Sequence, residues 1–136
     1  MGVPRLTDDQ MCFGCGRRNP KGLKLTFSAD PRRKRLRARW VPSKEFQGYA
    51  EIVHGGMIGL VLDELMGNLL WLQKSPAVTA QMTVSFLRPA RVGQPLECEA
   101  CVVERKGRLF RMEAEAKTSA GQLVARVNAR FISMKK

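Results

Sequence analysis

His54-Gly55-Gly56-Met57-Ile58-Gly59-Leu60-Val61-Leu62-Asp63-Glu64-Leu65-Met66-Gly67-Asn68-Leu69-Leu70-Trp71 is the stretch whose reading decides the fold. It holds no proline, and Leu and Met dominate it, so it predicts a helix rather than a strand. Apolar residues occupy the whole circumference, as in a helix enclosed on most sides by other elements. The two adjacent acids interrupt the apolar run and make it too short and too polar for a bilayer span.

Those acids need an account, because a carboxylate in apolar surroundings loses solvation unless it is paired, protonated or in contact with water in a cleft. Gly59, Asp63 and Gly67 fall at i, i+4 and i+8 and form one stripe of the helix; Leu60, Glu64 and Asn68 form the neighbouring, more polar one. Each interior glycine costs about 1 kcal/mol of helix propensity, which implies the close approach of a partner backbone or a ligand. From the helix alone, two readings stay open: the acids pair with an Arg or cap a neighbouring element, or they line a site. Gly55 and Gly56 leave bare N–H groups at the helix start, suited to an anion or a developing oxyanion. The chain's one histidine, His54, precedes them, as a cap or as a catalytic group.

The length of 136 residues suits a single domain, 1–136, with a real core. The N-terminal residues show no apolar signal segment, and Leu at position 6 breaks the myristoylation pattern that Gly2 would begin, so a cytoplasmic protein with no membrane attachment is expected. A net charge of +12 implies attraction to something anionic without saying what. Cys12-x-x-Cys15 and Cys98-x-x-Cys101 have the look of a zinc site. The second pair falls in a predicted strand, where residues three apart face opposite sides, so no metal is expected.

Outward from the helix, residues 1–22 read as an irregular leader rich in turn formers, followed by a short strand at Leu23–Ser28. Over residues 33–41, Arg33, Arg35, Arg37 and Arg39 alternate with Leu36, Ala38 and Trp40, a half-buried strand with a basic outer face. After the helix, Val78, Ala80, Met82, Val84 and Phe86 make one face of a strand, and Thr79, Gln81, Thr83 and Ser85 the other. Strands at Leu96–Arg105 and Leu109–Thr118 flank Lys106-Gly107-Arg108, and a three-residue loop there pairs Val102 with Met112 and Ala100 with Ala114. Leu123, Ala125, Val127, Ala129 and Phe131 supply the last apolar face. The order is two strands, one long helix and four strands. Short hairpins make the sheet antiparallel. The pattern is satisfied by an α+β fold in which a curved sheet wraps the helix and another copy covers what is left exposed.

These features resemble the hotdog-fold acyl-CoA thioesterases of the phenylacetate-degradation (PaaI-like) type, over residues 12–132. The resemblance rests on His54-Gly55-Gly56 with an acid at Asp63, on Ala80-Gln81-Met82-Thr83-Val84-Ser85-Phe86-Leu87-Arg88-Pro89-Ala90 closing in Gly93, and on Cys12-Phe13-Gly14-Cys15-Gly16 with Asn19-Pro20-Lys21-Gly22-Leu23. It implies a thioester hydrolase in which Asp63 is general base or nucleophile, the Gly55 N–H polarises the carbonyl, and Thr79 orients the attacking water. Relatives often carry Asn or Gln before the histidine. Gln47 is the nearest match, one residue further upstream, and Glu51 stands where similar loops often have Gly. Gly56 and Glu64 would border the substrate. Arg88 and Arg91 would meet the phosphates of coenzyme A, which enters as part of the substrate and not as a cofactor.

The edge and face left over predict a homodimer at least, and rather a homotetramer, with the active site between chains. The competing readings are a hotdog protein that binds acyl-CoA or another ligand without hydrolysis, and a hotdog dehydratase or hydratase using His54. Nucleic acid binding ranks last, since no aromatics interleave the arginines of the basic face.

Overall fold

The computed structural model describes residues 5–134; Gly2 and the first residues of the leader lie outside the described residues. Strands β1 (Ser28–Ala29) and β2 (Arg35–Trp40) precede helix α1 (Gly55–Leu72). Strands β3 (Ala77–Phe86), β4 (Leu96–Lys106), β5 (Leu109–Thr118) and β6 (Leu123–Ser133) follow it. The strands form one six-stranded sheet in the order β1-β2-β4-β5-β6-β3, and every pairing is antiparallel. Contacts from α1 reach β2, β3, β4, β5 and β6, so the sheet curls around the helix.

The helix is buried at Ile58, Gly59, Val61, Leu62, Leu65, Met66, Leu69 and Leu70. These meet Leu36, Trp40, Leu96, Met112, Val127 and Phe131 of the sheet in one core. With 18 residues and a mean hydropathy of 1.2, α1 is long and apolar enough to cross a bilayer. The two acids therefore do not exclude a span as the sequence reading holds; enclosure by the sheet is what accounts for the apolar circumference. Beyond the first turns, the half-buried Asp63, Glu64, Gly67 and Asn68 and the exposed Trp71 make one strip along the helix.

Three local readings are corrected by tertiary structure. The strand expected at Leu23–Ser28 shrinks to Ser28–Ala29. Leu23 and Leu25 instead donate their N–H groups to Phe13 and Gly14 of the leader, at 2.9 Å each, and so leave the sheet. Arg33 departs from the basic stripe: it takes φ +54°, and its guanidinium bonds the Leu72 carbonyl at the end of α1. The remaining Arg35, Arg37 and Arg39 do face outward, but Glu99 and Glu97 of β4 pair with them, so the face is less basic than its β2 residues suggest.

The β4–β5 hairpin keeps the expected partners Val102–Met112 and Ala100–Ala114, by a different route. Lys106 pairs with Leu109, so the loop holds two residues, Gly107-Arg108, with Gly107 at φ +61°. A bulge at Val103 absorbs the extra residue and restores the register. A second bulge, between Thr79 and Gln81 on β3, has a larger consequence: it breaks the alternation of that strand. Thr79 consequently joins Met82 and Val84 on the helix-facing side instead of staying with Gln81 and Thr83.

Gly59 and Gly67 of α1 face the sheet at ordinary contact distance, so the close approach expected from the sequence is not what the sheet makes there. A methyl built on Gly59 would sit 3.8 Å from Met82 and Val84, and one on Gly67 would sit 3.8 Å from Phe131. Leu65 lies at the centre of this packing and is fully buried. Leu65→Ala should cost about 2–5 kcal/mol of stability in urea unfolding. A cost below about 1 kcal/mol, closer to that of a surface substitution, would mean that α1 is not enclosed.

Candidate active site

The start of α1 is set by its cap. His54 is extended, and its Nδ1 accepts the Gly56 N–H at 2.9 Å. This satisfies one of the orphan donors of the first turn and leaves the proton of the neutral ring on Nε2. The Gly56 amide is thereby committed within the chain. The Gly55 N–H finds no hydrogen-bond partner among the described residues. The Phe86 ring lies over Gly55, so that a Cβ there would stand 3.2 Å from it. Val53, Gly55, Ile58, Phe86, Leu87, Arg88, Pro89 and Ala90 line a cavity of about 210 Å³ at this end of the helix.

Two turns further along, Asp63 Oδ1 accepts a hydrogen bond from Thr79 Oγ1 at 2.6 Å. The bulge beside Thr79 is what turns its hydroxyl toward the helix. Burial pushes the Asp63 carboxyl above its ordinary value; the Thr79 hydroxyl opposes this, and the neighbouring Glu64 charge adds to it. Asp63 opens into a second, larger cavity of about 600 Å³, where the leader supplies Asp8, Asp9, Met11, Cys12 and Cys15, and the helix supplies Glu64, Gly67 and Asn68.

Glu64 neither pairs with an arginine nor stands free. Its Oε1 accepts from Cys12 Sγ at 3.0 Å, and its Oε2 from Asn68 Nδ2 at 3.1 Å. Asn68 Nδ2 also reaches the Glu64 carbonyl at 2.8 Å. Burial pushes the Cys15 thiol up to about 12, with the Glu64 charge and a hydrogen bond to Cys12 adding to the rise. The sequence reading did not bring Cys12 and Cys15 to this site. The signal is the Cys-x-x-Cys-Gly turn taken by itself, since Cys98 and Cys101 lie on β4.

The structure joins Asp63 to Thr79, turns Glu64 to Cys12 and Asn68 on the neighbouring stripe of the same cavity, and holds them apart from the helix start. Gln47 shapes the approach loop: its Oε1 accepts the Glu51 N–H at 3.0 Å, and it does not touch Asp63. Glu51 has φ +66°, a conformation that favours glycine, which accounts for Gly at this place in similar loops. Arg88 is exposed beside the Gly55 cavity and donates to the Leu123 carbonyl at 3.1 Å. Arg91 is exposed, with its loop bridged to Ile52.

A six-stranded antiparallel sheet curled about one long helix, with a capped Gly-Gly start and an acid at mid-helix, defines the hotdog class. The sequence model of the thioesterase superfamily matches residues 50–125, from the approach loop into β6. The chain belongs to that superfamily, and its reaction class is thioester hydrolysis.

Among solved structures, the thioesterase superfamily protein RHA08564 is 21% identical, with a TM-score of 0.85 over 96% of this chain and 68% of its own. A phenylacetic acid degradation-related protein of Ralstonia eutropha JMP134 is 27% identical, with a TM-score of 0.72 over 81% of this chain and 85% of its own. The smu.793 protein of Streptococcus mutans UA159, solved bound to acetyl CoA, is 18% identical, with a TM-score of 0.73 over 80% of this chain and 87% of its own. The resemblance to the phenylacetate-degradation type is therefore upheld. No curated protein matches the sequence.

The leader holds its place on α1 through glycines. A Cβ on Gly16 would fall 2.5 Å from the Cys12 nitrogen and the Gln10 carbonyl oxygen, both backbone atoms that cannot swing aside. Gly16→Ala should therefore loosen the leader, lowering stability by about 1–3 kcal/mol and exposing residues 8–25 to limited proteolysis. Unchanged melting and unchanged cleavage would show that the turn is not under this constraint.

Proposed function

We propose that the protein hydrolyses acyl-CoA thioesters, with Asp63 as general base or nucleophile and the Gly55 N–H as donor to the thioester carbonyl. The observation that carries this reading is the Asp63 carboxylate, desolvated, fixed by Thr79 through one oxygen, and facing a cavity large enough for a substrate. With Oδ1 held by Thr79, Oδ2 is left to take a proton from water attacking the carbonyl carbon, or to attack that carbon itself. The negative charge that develops on the carbonyl oxygen is met by the Gly55 N–H, aided by the helix N-terminus. The C–S bond then breaks, and the thiolate of coenzyme A leaves and takes up a proton; on the nucleophilic route this leaves an anhydride on Asp63, which water hydrolyses to the free acid and the restored carboxylate. The chemistry uses no cofactor. A family neighbour solved with acetyl CoA supports the substrate class.

A second copy of the chain is part of this reading. Asp63 and Gly55 are eight residues apart on one helix, about 12 Å at 1.5 Å per residue, and they open into different cavities. A single thioester carbonyl cannot meet both within one chain. It can do so between chains, if Asp63 of one faces Gly55 of the other. The free edge of β3 fits such an assembly: Val78, Phe86 and Leu87 on and just beyond it are exposed at 40%, 55% and 54%. We therefore propose a homodimer or homotetramer with the active site between chains.

Arg88, beside the Gly55 cavity, and Arg91 are assigned to the phosphates of coenzyme A. Gln47 shapes the approach, and Gly56 and Glu64 border the substrate. His54 spends Nδ1 on its cap, which favours hydrolysis over the dehydratase alternative, where the histidine would pair with an acid. Nucleic acid is not part of the reading, because Glu97 and Glu99 interleave the arginines of β2. We place the protein in the cytoplasm, where its four free cysteines are stable.

Two tests follow. Asp63→Asn should keep the assembly and the binding of a non-hydrolysed coenzyme A analogue while lowering kcat on an acyl-CoA panel by roughly a hundredfold or more. Glu64→Gln should cost far less in rate. Equal turnover by wild type and Asp63→Asn would remove Asp63 from the mechanism. Light scattering at micromolar concentration should return at least a dimer; a monomer that is fully active would refute the shared site.

A further inference from the structure

We propose that Cys12, Cys15 and Glu64 form a binding site for one zinc ion, which clips the leader to helix α1. The proposal does not depend on the thioesterase reading. The two thiol sulfurs and a Glu64 carboxylate oxygen all lie within 4.8 Å of one another. Around a tetrahedral zinc with Zn–S of about 2.3 Å and Zn–O of about 2.0 Å, such atoms stand roughly 3.5–3.8 Å apart. Cys12 Sγ is 3.0 Å from Glu64 Oε1, so shifts on the order of 1 Å bring the set to that geometry. Two thiolates and one carboxylate are a borderline-soft set, suited to zinc rather than to magnesium or calcium.

The surroundings hold the donors for this purpose. Asn68 Nδ2 bonds Glu64 Oε2 at 3.1 Å and so turns Oε1 toward the thiols, the part an outer-shell residue plays in metal sites. Asn68 Oδ1 lies 3.9 Å from Cys15 Sγ, near enough to share the fourth position with water. The turn that carries both cysteines is closed by Gly16 N–H donating to the Cys12 carbonyl at 2.8 Å. A Cβ on Gly14 would lie 2.2 Å from Glu64 Cγ, so the turn presses directly on the glutamate, and any larger residue there would push the Glu64 side chain aside.

The leader also needs a tether. Leu25, just beyond it, joins the core, but Met11 and Phe13 of the leader are exposed, and no strand or helix precedes Ser28 among the described residues. Apolar burial therefore anchors its Cys12–Cys15 turn weakly, and metal binding would supply the docking energy. The two thiol protons pass to solvent as the ion enters. Cys98 and Cys101, whose strand placement speaks against metal, lie on β4 and are not part of this donor set.

The test uses the full chain, reduced and stripped of metal, titrated with Co²⁺ alone and then with Zn²⁺. One equivalent of Co²⁺ should give thiolate-to-cobalt charge-transfer absorption and the intense visible bands of a tetrahedral site, and zinc should abolish both. Zinc should also raise the melting temperature with free zinc concentration and protect the leader from proteolysis. Cys12→Ser and Cys15→Ser should lose the charge-transfer band or weaken binding, Asn68→Ala should weaken it by about tenfold to a hundredfold with the band kept, and Cys101→Ser should change nothing.

Absence of charge-transfer absorption in wild-type protein of native size overturns the site, as does a spectrum that survives in the Cys12→Ser/Cys15→Ser double variant. Zinc binding without a rise in melting temperature overturns the clip. These readouts need no substrate, so a failure of thioester turnover leaves them standing, and their failure leaves the turnover tests intact.

Discussion

The structure depends on a helix that is apolar around nearly its whole circumference and therefore has to be enclosed. A sheet can surround a helix only by curling, and four strands of ten or eleven residues provide the span to do so. Enclosure cannot be complete, because the outer strands of an open sheet stop at two edges. The strip left over is where the chain carries Asp63, Glu64 and Asn68. Polar side chains on this helix are thus confined to the side that the edge strand β3 reaches only through Thr79, and the irregular leader lies across it. The core and the cavity share a single geometric cause.

Within that frame, single-residue irregularities in the strands decide where side chains act. The bulge between Thr79 and Gln81 gives the Thr79 hydroxyl to Asp63. Without it, strict alternation would put Thr79 on the opposite face from Met82, and Asp63 would be buried beside apolar groups with no donor. The bulge at Val103 lets a two-residue turn coexist with a register that keeps apolar faces together. Each bulge exchanges ladder regularity for a needed orientation, as bulges near functional sites commonly do.

Pairing tempers the positive charge of this protein locally, on β2 and in the approach loop. Despite a net charge of +12, the arginines of β2 find Glu97 and Glu99, and Lys44 finds Glu51. These exposed pairs are each worth about 0–1 kcal/mol, so their effect is on the local field rather than on stability. Arg88 lies on the cavity at the start of α1, and Arg91 is exposed on the loop beyond it, which keeps positive charge available near the helix terminus.

The sequence by itself determined the helix, the order of elements, the antiparallel hairpins and the prominence of Asp63, because each rests on local information: composition, period, turn residues and spacing along one helix. The resemblance carried by His54-Gly55-Gly56 and Asp63 also pointed to Thr79. Only the tertiary structure decided the rest. The leader's seat on Glu64 joins residues 52 positions apart, which no periodicity reports. The loss of the Leu23–Leu25 strand follows from backbone groups taken by Phe13 and Gly14. The facing of Thr79 follows from a bulge that has no marker in a run of Thr, Ala and Gln. Local pattern selects an element's type and its apolar side; which partner its polar groups meet depends on contacts made only once the chain has closed on itself.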